Sequence, residues 1–219
     1  MIKKIELDKS NKQTIQINIA IIPEEQILEE AITLSELLHK NFDIEFALNK
    51  QNFLPHITIS QARYPKRNLT KVIDTVTNHL SSIQPFNIIL NLFEIYFNHY
   101  IFWNAERIPS LISLHQQIVN TTNPLREGLV LEHIAAMDNL SEEDASDRKK
   151  YGALLIGSRY QPHITLAYLK QVTLIDEITK VIRKSKKEHF RASKIVVSYL
   201  GNYGTVKEII KEIALLKSI

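Results

Sequence analysis

The chain has 219 residues, 44% of them apolar and 23% charged, with a formal net charge of +3. That length can bury a sizeable core in one large domain or two small lobes, and the composition excludes a disordered or low-complexity chain. The absence of cysteine excludes disulfides, thiolate zinc sites and cysteine nucleophiles, while so mild a charge lacks the basic excess of a duplex-DNA binder.

No stretch approaches the roughly 18 apolar residues of a membrane span, and the N-terminal residues Met1 to Lys9 contain no continuous apolar run of signal-peptide type, so a cytoplasmic protein is expected. From Thr14 to Ile22 the residues Ile15, Ile17, Ile19 and Ile21 alternate with Thr14, Gln16, Asn18 and Ala20, the period of a half-buried strand. Pro23 ends it and opens a helix in which Ile27, Leu28, Ala31, Leu34 and Leu38 share a face, with Glu24 and Glu25 in the first turn where the helix dipole favours anions. Leu54 to Ile59 reads as a second strand. Asn68 to Ile83 reads as a helix with the inward stripe Leu69, Val72, Ile73, Val76, Leu80 and Ile83. Strand-like sequence runs from Phe86 to about Trp103, and Pro109 and Ser110 start a helix bearing Leu111, Leu114 and Ile118 on one face, with His115 a candidate fourth.

Leu125 to Ser158 shows no clear period. Ser141-Glu142-Glu143-Asp144 signals a helix start, yet the residues that follow as far as Lys150 are almost wholly polar, so the stretch reads as a surface insertion or flap. Gln161 to Leu169 returns to strand, Leu174 to about Lys186 to helix with Lys184, Lys186 and Lys187 solvated, and Ile195 to Leu200 to strand. A capping box of Thr205 and Glu208 predicts a final helix with Ile209, Ile210, Ile213 and Leu216 facing inward.

The order repeats. Pro55-His56-Ile57-Thr58, a helix and a strand after Phe86 are echoed by Pro162-His163-Ile164-Thr165, a helix and a strand after Phe190, with Phe86 lying 86 − 56 = 30 residues and Phe190 190 − 163 = 27 residues after its histidine. A specified four-residue string recurs by chance in such a chain with a probability on the order of 10⁻³. The halves therefore read as a duplication.

On a strand, residues i and i+2 share a face, so His56 lies beside Thr58 and His163 beside Thr165, while Ile57, Ile59, Ile164 and Leu166 face the core. If the halves pack about a pseudo-two-fold axis, two imidazoles and two hydroxyls meet across a groove the size of one phosphate. In-line chemistry at a phosphodiester needs a base for the attacking oxygen and an acid for the departing one, and histidine serves as either near neutral pH. The hydroxyls would hold the non-bridging oxygens.

Paired H-x-T-hydrophobic motifs on equivalent strands resemble those of the 2H (two-histidine) phosphoesterase superfamily, which includes 2′,3′-cyclic phosphodiesterases and the 2′-5′ RNA ligases. The resemblance covers most of the chain. It implies an α+β bilobal fold in one domain spanning 1–219, with two antiparallel sheets related by a pseudo-two-fold, helices outside and a central groove. It further implies that His56 and His163 are acid and base, that Thr58 and Thr165 bind phosphate, and that neither cofactor nor metal is used. Many ligase-like members carry an arginine near the position of Tyr168, and its absence here is a departure from the pattern that goes with the ligase-like substrate preference. Arg63, Arg159, Tyr160 and Tyr168 are candidate substrate contacts by position, with Lys66 and Arg67 as basic neighbours of the first motif. Tyr100 and Trp103 suit either base stacking or the core. His39, His79, His99, His115, His133 and His189 have no partner at motif spacing and read as packing or surface residues.

The expected partners are RNA ends, an oligonucleotide or a small cyclic nucleotide, met by a monomer. The sequence leaves open three readings: an enzyme acting at a ribose 2′-oxygen, an RNA-end or nucleotide binding module that has lost turnover, and a metal-dependent hydrolase using the histidines as ligands.

Overall fold

The computed structural model describes residues 13–172, 175–182 and 187–216. The alternating isoleucines form strand β1 (Thr14–Ile21), and the helix expected after Pro23 is α1 (Glu25–Asn41), whose Ile27, Leu28, Ala31, Leu34 and Leu38 are all buried. The first motif leads β2 (Ile57–Pro65), followed by α2 (Leu69–Leu80) with Val72, Val76 and Leu80 inward. Phe86 to Trp103 is not one strand but a hairpin, β3 (Phe86–Tyr96) and β4 (Tyr100–Ala105), turned by Phe97 and Asn98 at positive φ. Helix α3 (Pro109–Thr122) has Pro at its start, where the missing N–H costs nothing.

The 125–158 stretch folds into the short helices α4 (Glu132–Ala135) and α5 (Glu142–Tyr151). Helix α5 forms despite its polarity because its ends are satisfied: Ser141 accepts from the Asp144 amide at 3.1 Å, three acids fill the first turn and three bases the last. Gly152 closes it at φ +68°, where an added Cβ would lie 2.4 Å from the Leu129 carbonyl. The buried Arg126 guanidinium donates to the carbonyls of Leu129, Lys149 and Lys150 and ties the segment together.

The second motif opens β5 (His163–Tyr168), then come α6 (Ile175–Ile182), β6 (Glu188–Ala192) and β7 (Lys194–Leu200). The ends of the helix expected over 174–186, Leu174 and residues 183–186, lie outside the described residues. Val206–Ala214 is strand β8, which corrects the final helix expected from Thr205 and Glu208. Its isoleucine spacing suits either period, and pairing with β7 from Lys194↔Ala214 to Leu200↔Val206 decides the outcome. Lys207, Glu208, Lys211 and Glu212 blunt it as an exposed edge.

The strands form one antiparallel sheet in the order β6-β3-β4-β5-β2-β1-β7-β8. It consists of two four-stranded halves joined at β5 and β2, where a single pair, Ile57↔Ile164, is in register. The fold is thus α+β with the duplicated order expected, except that the units exchange strands. Strand β3 follows α2 yet pairs with β4 in the other half, and β7 follows β6 yet pairs with β1. Phe190 is consequently not the counterpart of Phe86: it lies on β6 and pairs with Ile88 of β3 itself. Helices α1, α2, α3 and α6 pack on Ile17, Ile19, Ile21, Ile57, Ile59, Ile164 and Leu166, all essentially unexposed, each such side chain contributing roughly 2 kcal/mol of transfer free energy. Among the described residues no helix is long and apolar enough to cross a membrane.

Ser35 of α1 anchors the second motif strand, because its buried hydroxyl donates to the Leu166 carbonyl at 2.6 Å and accepts from the Leu48 amide at 2.8 Å. Ser35→Ala leaves two buried backbone groups unpaired and should cost about 1–3 kcal/mol with an unchanged denaturant slope. Urea unfolding measures this, and a loss below about 0.5 kcal/mol would mean the two bonds do not hold α1 to β5.

Candidate active site

The pair Ile57↔Ile164 fixes the antiparallel register, and since 57 + 164 = 56 + 165 = 58 + 163, it sets His56 across from Thr165 and Thr58 across from His163. Period-two alternation puts these four on the face opposite the buried isoleucines. Each imidazole therefore faces the hydroxyl of the other motif. Beyond that single pair the strands diverge, which leaves the side chains room to line a cavity.

The proline of each motif shapes its histidine. It removes an N–H and holds the preceding residue extended, and in both copies the imidazole Nδ1 bonds the carbonyl of that preceding residue: His56 to Leu54 at 2.8 Å and His163 to Gln161 at 2.7 Å. A carbonyl only accepts, so Nδ1 carries a proton and Nε2 is the nitrogen left for chemistry. Burial holds His56 below the ordinary imidazole range, with the Leu54 and Gly204 carbonyls opposing. Burial likewise pushes His163 down to about 4, against the Gln161 carbonyl and helped by the charge of His56.

All four motif residues line one cavity of about 220 Å³. Tyr100 and Phe102 of β4 and Tyr203 and Gly204 of the β7–β8 turn form one side, and the 125–158 segment supplies the other through Leu131, Ile134, Met137 and Ile156. Among the described lining residues there is no Lys, Arg, Asp or Glu. A phosphate anion there would meet histidine protons and hydroxyls rather than fixed cations. Among the described residues no three His, Cys, Asp or Glu side chains form a group able to hold a metal ion.

The candidate substrate contacts fall in different places. Arg63 donates to the Thr14 hydroxyl and pairs with Glu132 at 3.3 Å, and Arg159 is engaged by Asp144 and Asp147 of α5, so neither lines the cavity. Lys66 also lies outside the lining, and Arg67 pairs with Glu127. Tyr168 stacks on His99 and touches Tyr100 and Tyr203, one layer behind the wall. Tyr160 does line the cavity: its hydroxyl donates to the Thr58 carbonyl at 2.7 Å and its ring lies 3.8 Å from that of His115. His115 is buried between strand and insertion, Nδ1–H donating to Ile59 at 2.6 Å and Nε2 accepting from the Gly157 amide at 2.9 Å. Trp103 is core beside Phe93, whereas Tyr100 reaches the cavity.

Sequence reading passed over Asn18, Gln61 and Phe102. Asn18 is unexposed, and its Nδ2 lies 3.2 Å from both His56 Nε2 and the Gly204 carbonyl. Gln61 donates to the same carbonyl at 3.2 Å and to the Thr58 hydroxyl at 3.4 Å. The Phe102 ring stacks 3.5 Å from that of His163. The available signal was a lone asparagine on an isoleucine strand, which alternation alone assigns to solvent.

The sequence profile of the 2′-5′ RNA ligase superfamily matches residues 47–203. No curated protein matches the chain in sequence. Among solved structures, TT0787 of Thermus thermophilus superposes with a TM-score of 0.60 at 14% identity over 93% of this chain and 100% of its own. LigT of E. coli, complexed with phosphate, gives 0.52 at 13% identity over 94% and 99%, and LigT complexed with 3′-AMP gives 0.53 at 12% over 94% and 100%. At such identities the superpositions speak for the fold, and the profile, spanning most of the chain and both motifs, speaks for descent: this chain belongs to the 2′-5′ RNA ligase superfamily, within the two-histidine phosphoesterases.

Proposed function

We propose that the protein is a metal-independent phosphodiesterase acting on RNA-like or nucleotide diesters that involve a ribose 2′-oxygen, a 2′,3′-cyclic phosphate or a 2′-5′ linkage. The observation that carries this reading is the pair of motif histidines, each held by Nδ1 with Nε2 left over, lining one cavity with two threonine hydroxyls set across from them. In the reaction one imidazole takes the proton of the attacking oxygen and the other gives a proton to the departing one, while Thr58 and Thr165 donate to the non-bridging oxygens. The aromatic and apolar walls suit a nucleoside, and a small cyclic nucleotide or an RNA end bound by a cytoplasmic monomer fits the reading. Support for a nucleotide-sized ligand comes from LigT, whose structures include complexes with phosphate, 3′-AMP and NADP+.

Purified protein assayed on 2′,3′-cyclic mononucleotides, 2′-5′ oligoadenylate and cyclic-phosphate-ended RNA should turn over at least one of them after exhaustive chelation. His56→Ala and His163→Ala should each lower kcat by about 10²-fold or more, and the double variant should be little worse than the poorer single. Thr58→Val and Thr165→Val keep the side-chain shape and should each slow turnover by about 30- to 1000-fold. Near-wild-type kcat/KM in either histidine variant, or in both valine variants, overturns the assignment.

The pH dependence follows from burial. A charged imidazolium is disfavoured in the cavity, so the acid loses its proton below the ordinary value of 6.5, and kcat/KM, which reports free enzyme, should be bell-shaped with its maximum on the acidic side of neutrality. A bound diester anion stabilises imidazolium, so the kcat profile should lie at higher pH. Between about pH 6.5 and 4 the unfolded chain binds protons that native His163 refuses, so folding stability should fall as pH drops through that window. A rate rising steadily into alkali would contradict the histidine mechanism.

A further inference from the structure

One imidazole at the mouth of the cavity belongs to neither motif. Phe97, His133, Met137 and Tyr203 are the solvent-exposed members of the described lining, whereas His56 is buried. His133 sits in α4, and its neighbour fixes that short helix to the sheet. The Glu132 amide donates to the Gln16 side-chain oxygen at 2.9 Å, and the Glu132 carboxylate pairs with Arg63 at 3.3 Å. With Glu132 turned to β1 and β2, the next residue is left to the cavity, where its imidazole has no hydrogen-bond partner among the described residues.

His115 lines the same cavity, but both its ring nitrogens are engaged, one by the Ile59 carbonyl and the other by the Gly157 amide. Outside the motifs, His133 is therefore the one described lining side chain able to carry a positive charge with a nitrogen free. The arginines around the insertion have other partners: Arg63 has Glu132, Arg159 has Asp144 and Asp147, and Arg148 donates to the Met137 carbonyl at 3.1 Å. The remaining titratable groups of the described lining are His56, His163, Tyr100, Tyr160 and Tyr203. Desolvation holds His133 below the ordinary imidazole range, with the Glu132 carboxylate opposing. Without ligand the side chain is mainly neutral at pH 7, and an incoming anion draws a proton onto it.

We propose that His133 is a substrate-binding residue that receives, as imidazolium, a second phosphodiester of the substrate, the one next to the phosphate held between the motifs. This rests on the phosphodiesterase reading above, and it makes a short RNA end the substrate favoured over a lone nucleotide below neutral pH. A cyclic mononucleotide has one anionic group, which the motif residues hold. An RNA end carries another one nucleotide along, and a chain leaving the buried motifs passes the mouth. There Phe97, Met137 and Tyr203 offer rings and apolar surface, while imidazolium donates a charge-assisted hydrogen bond to a non-bridging oxygen. Because an imidazole titrates near neutrality where Lys and Arg do not, affinity for the longer substrate is linked to pH.

The test compares two dinucleotides ended by the same 2′,3′-cyclic phosphate, one with an ordinary linkage and one with an uncharged methylphosphonate linkage. Titration of the motif histidines acts on both alike, so the ratio of their kcat/KM values isolates the charge of the linkage. That ratio should rise about tenfold as pH falls through the His133 midpoint, which by linkage equals a rise of about one pH unit in that midpoint on binding. His133→Gln should make the ratio independent of pH, and His133→Lys should hold it high across the range. Binding is read without turnover by NMR of the labelled protein saturated with either dinucleotide ended by a 3′-phosphate, His133 being assigned from its backbone. Its midpoint should lie about one unit higher with the charged linkage than with the uncharged one. Equal midpoints, or a ratio that is flat with pH in the unaltered protein, overturn the proposal whether or not any variant folds, as does a pH dependence that survives His133→Gln. If the midpoints differ as expected while no diester is turned over, the phosphodiesterase reading fails and the anion contact of His133 stands. Turnover of the cyclic phosphates with a flat ratio does the reverse.

Discussion

Almost everything about the site depends on a single backbone pairing, Ile57 with Ile164, at the joint between the two halves of the sheet. A shift of one residue there would turn each histidine to the helical side and each isoleucine toward the cavity, because strand side chains alternate. The isoleucines resist such a slip: both are wholly buried under the helices, and exposing them is costly. Hydrophobic packing on one face therefore sets the placement of the polar groups on the other, and the arrangement of the four motif side chains is secured by residues on the opposite face of the sheet.

The second constraint is polar. Backbone carbonyls hold both imidazoles, the Gly204 carbonyl holds Asn18 and Gln61 together, and His115 with Tyr160 links the first motif strand to the 125–158 segment. These bonds lie in a cavity without fixed charge among its described lining residues, where an unmet polar atom is expensive. The lining is consequently hydrogen-bonded on the motif side and largely apolar on the insertion side.

Much of this was legible in the sequence. The repeated Pro-His-Ile-Thr gave the duplication and the four central residues because a short motif on a strand has only one way to present i and i+2. Helices α1 and α3 were readable from their apolar period and the prolines at their starts. What failed did so for physical reasons. Strand β8 looked helical because Ile209 and Ile213 fit either period, and only its partner β7 settles the choice. Phe190 was misassigned because exchange of strands between halves is a tertiary event with no local signal. Arg63 and Arg159 stand near the motifs in sequence, but Glu132, Asp144 and Asp147 engage them from a segment with no readable period. Asn18 was hidden for the opposite reason: alternation put it on the polar face correctly, and nothing local says that this face is roofed over.

The exchange of strands bears on how the protein comes into being. Strand β1 is made well before β7, its second neighbour, so its edge stays open until residues 195–199 are available. Pairings so distant in sequence form slowly and leave a sticky edge exposed in the meantime. The same late segment brings the Gly204 carbonyl that orients Asn18. A nascent chain can thus hold both motifs and still lack a finished site, since strands made after both motifs close the sheet and set the histidine of the first motif.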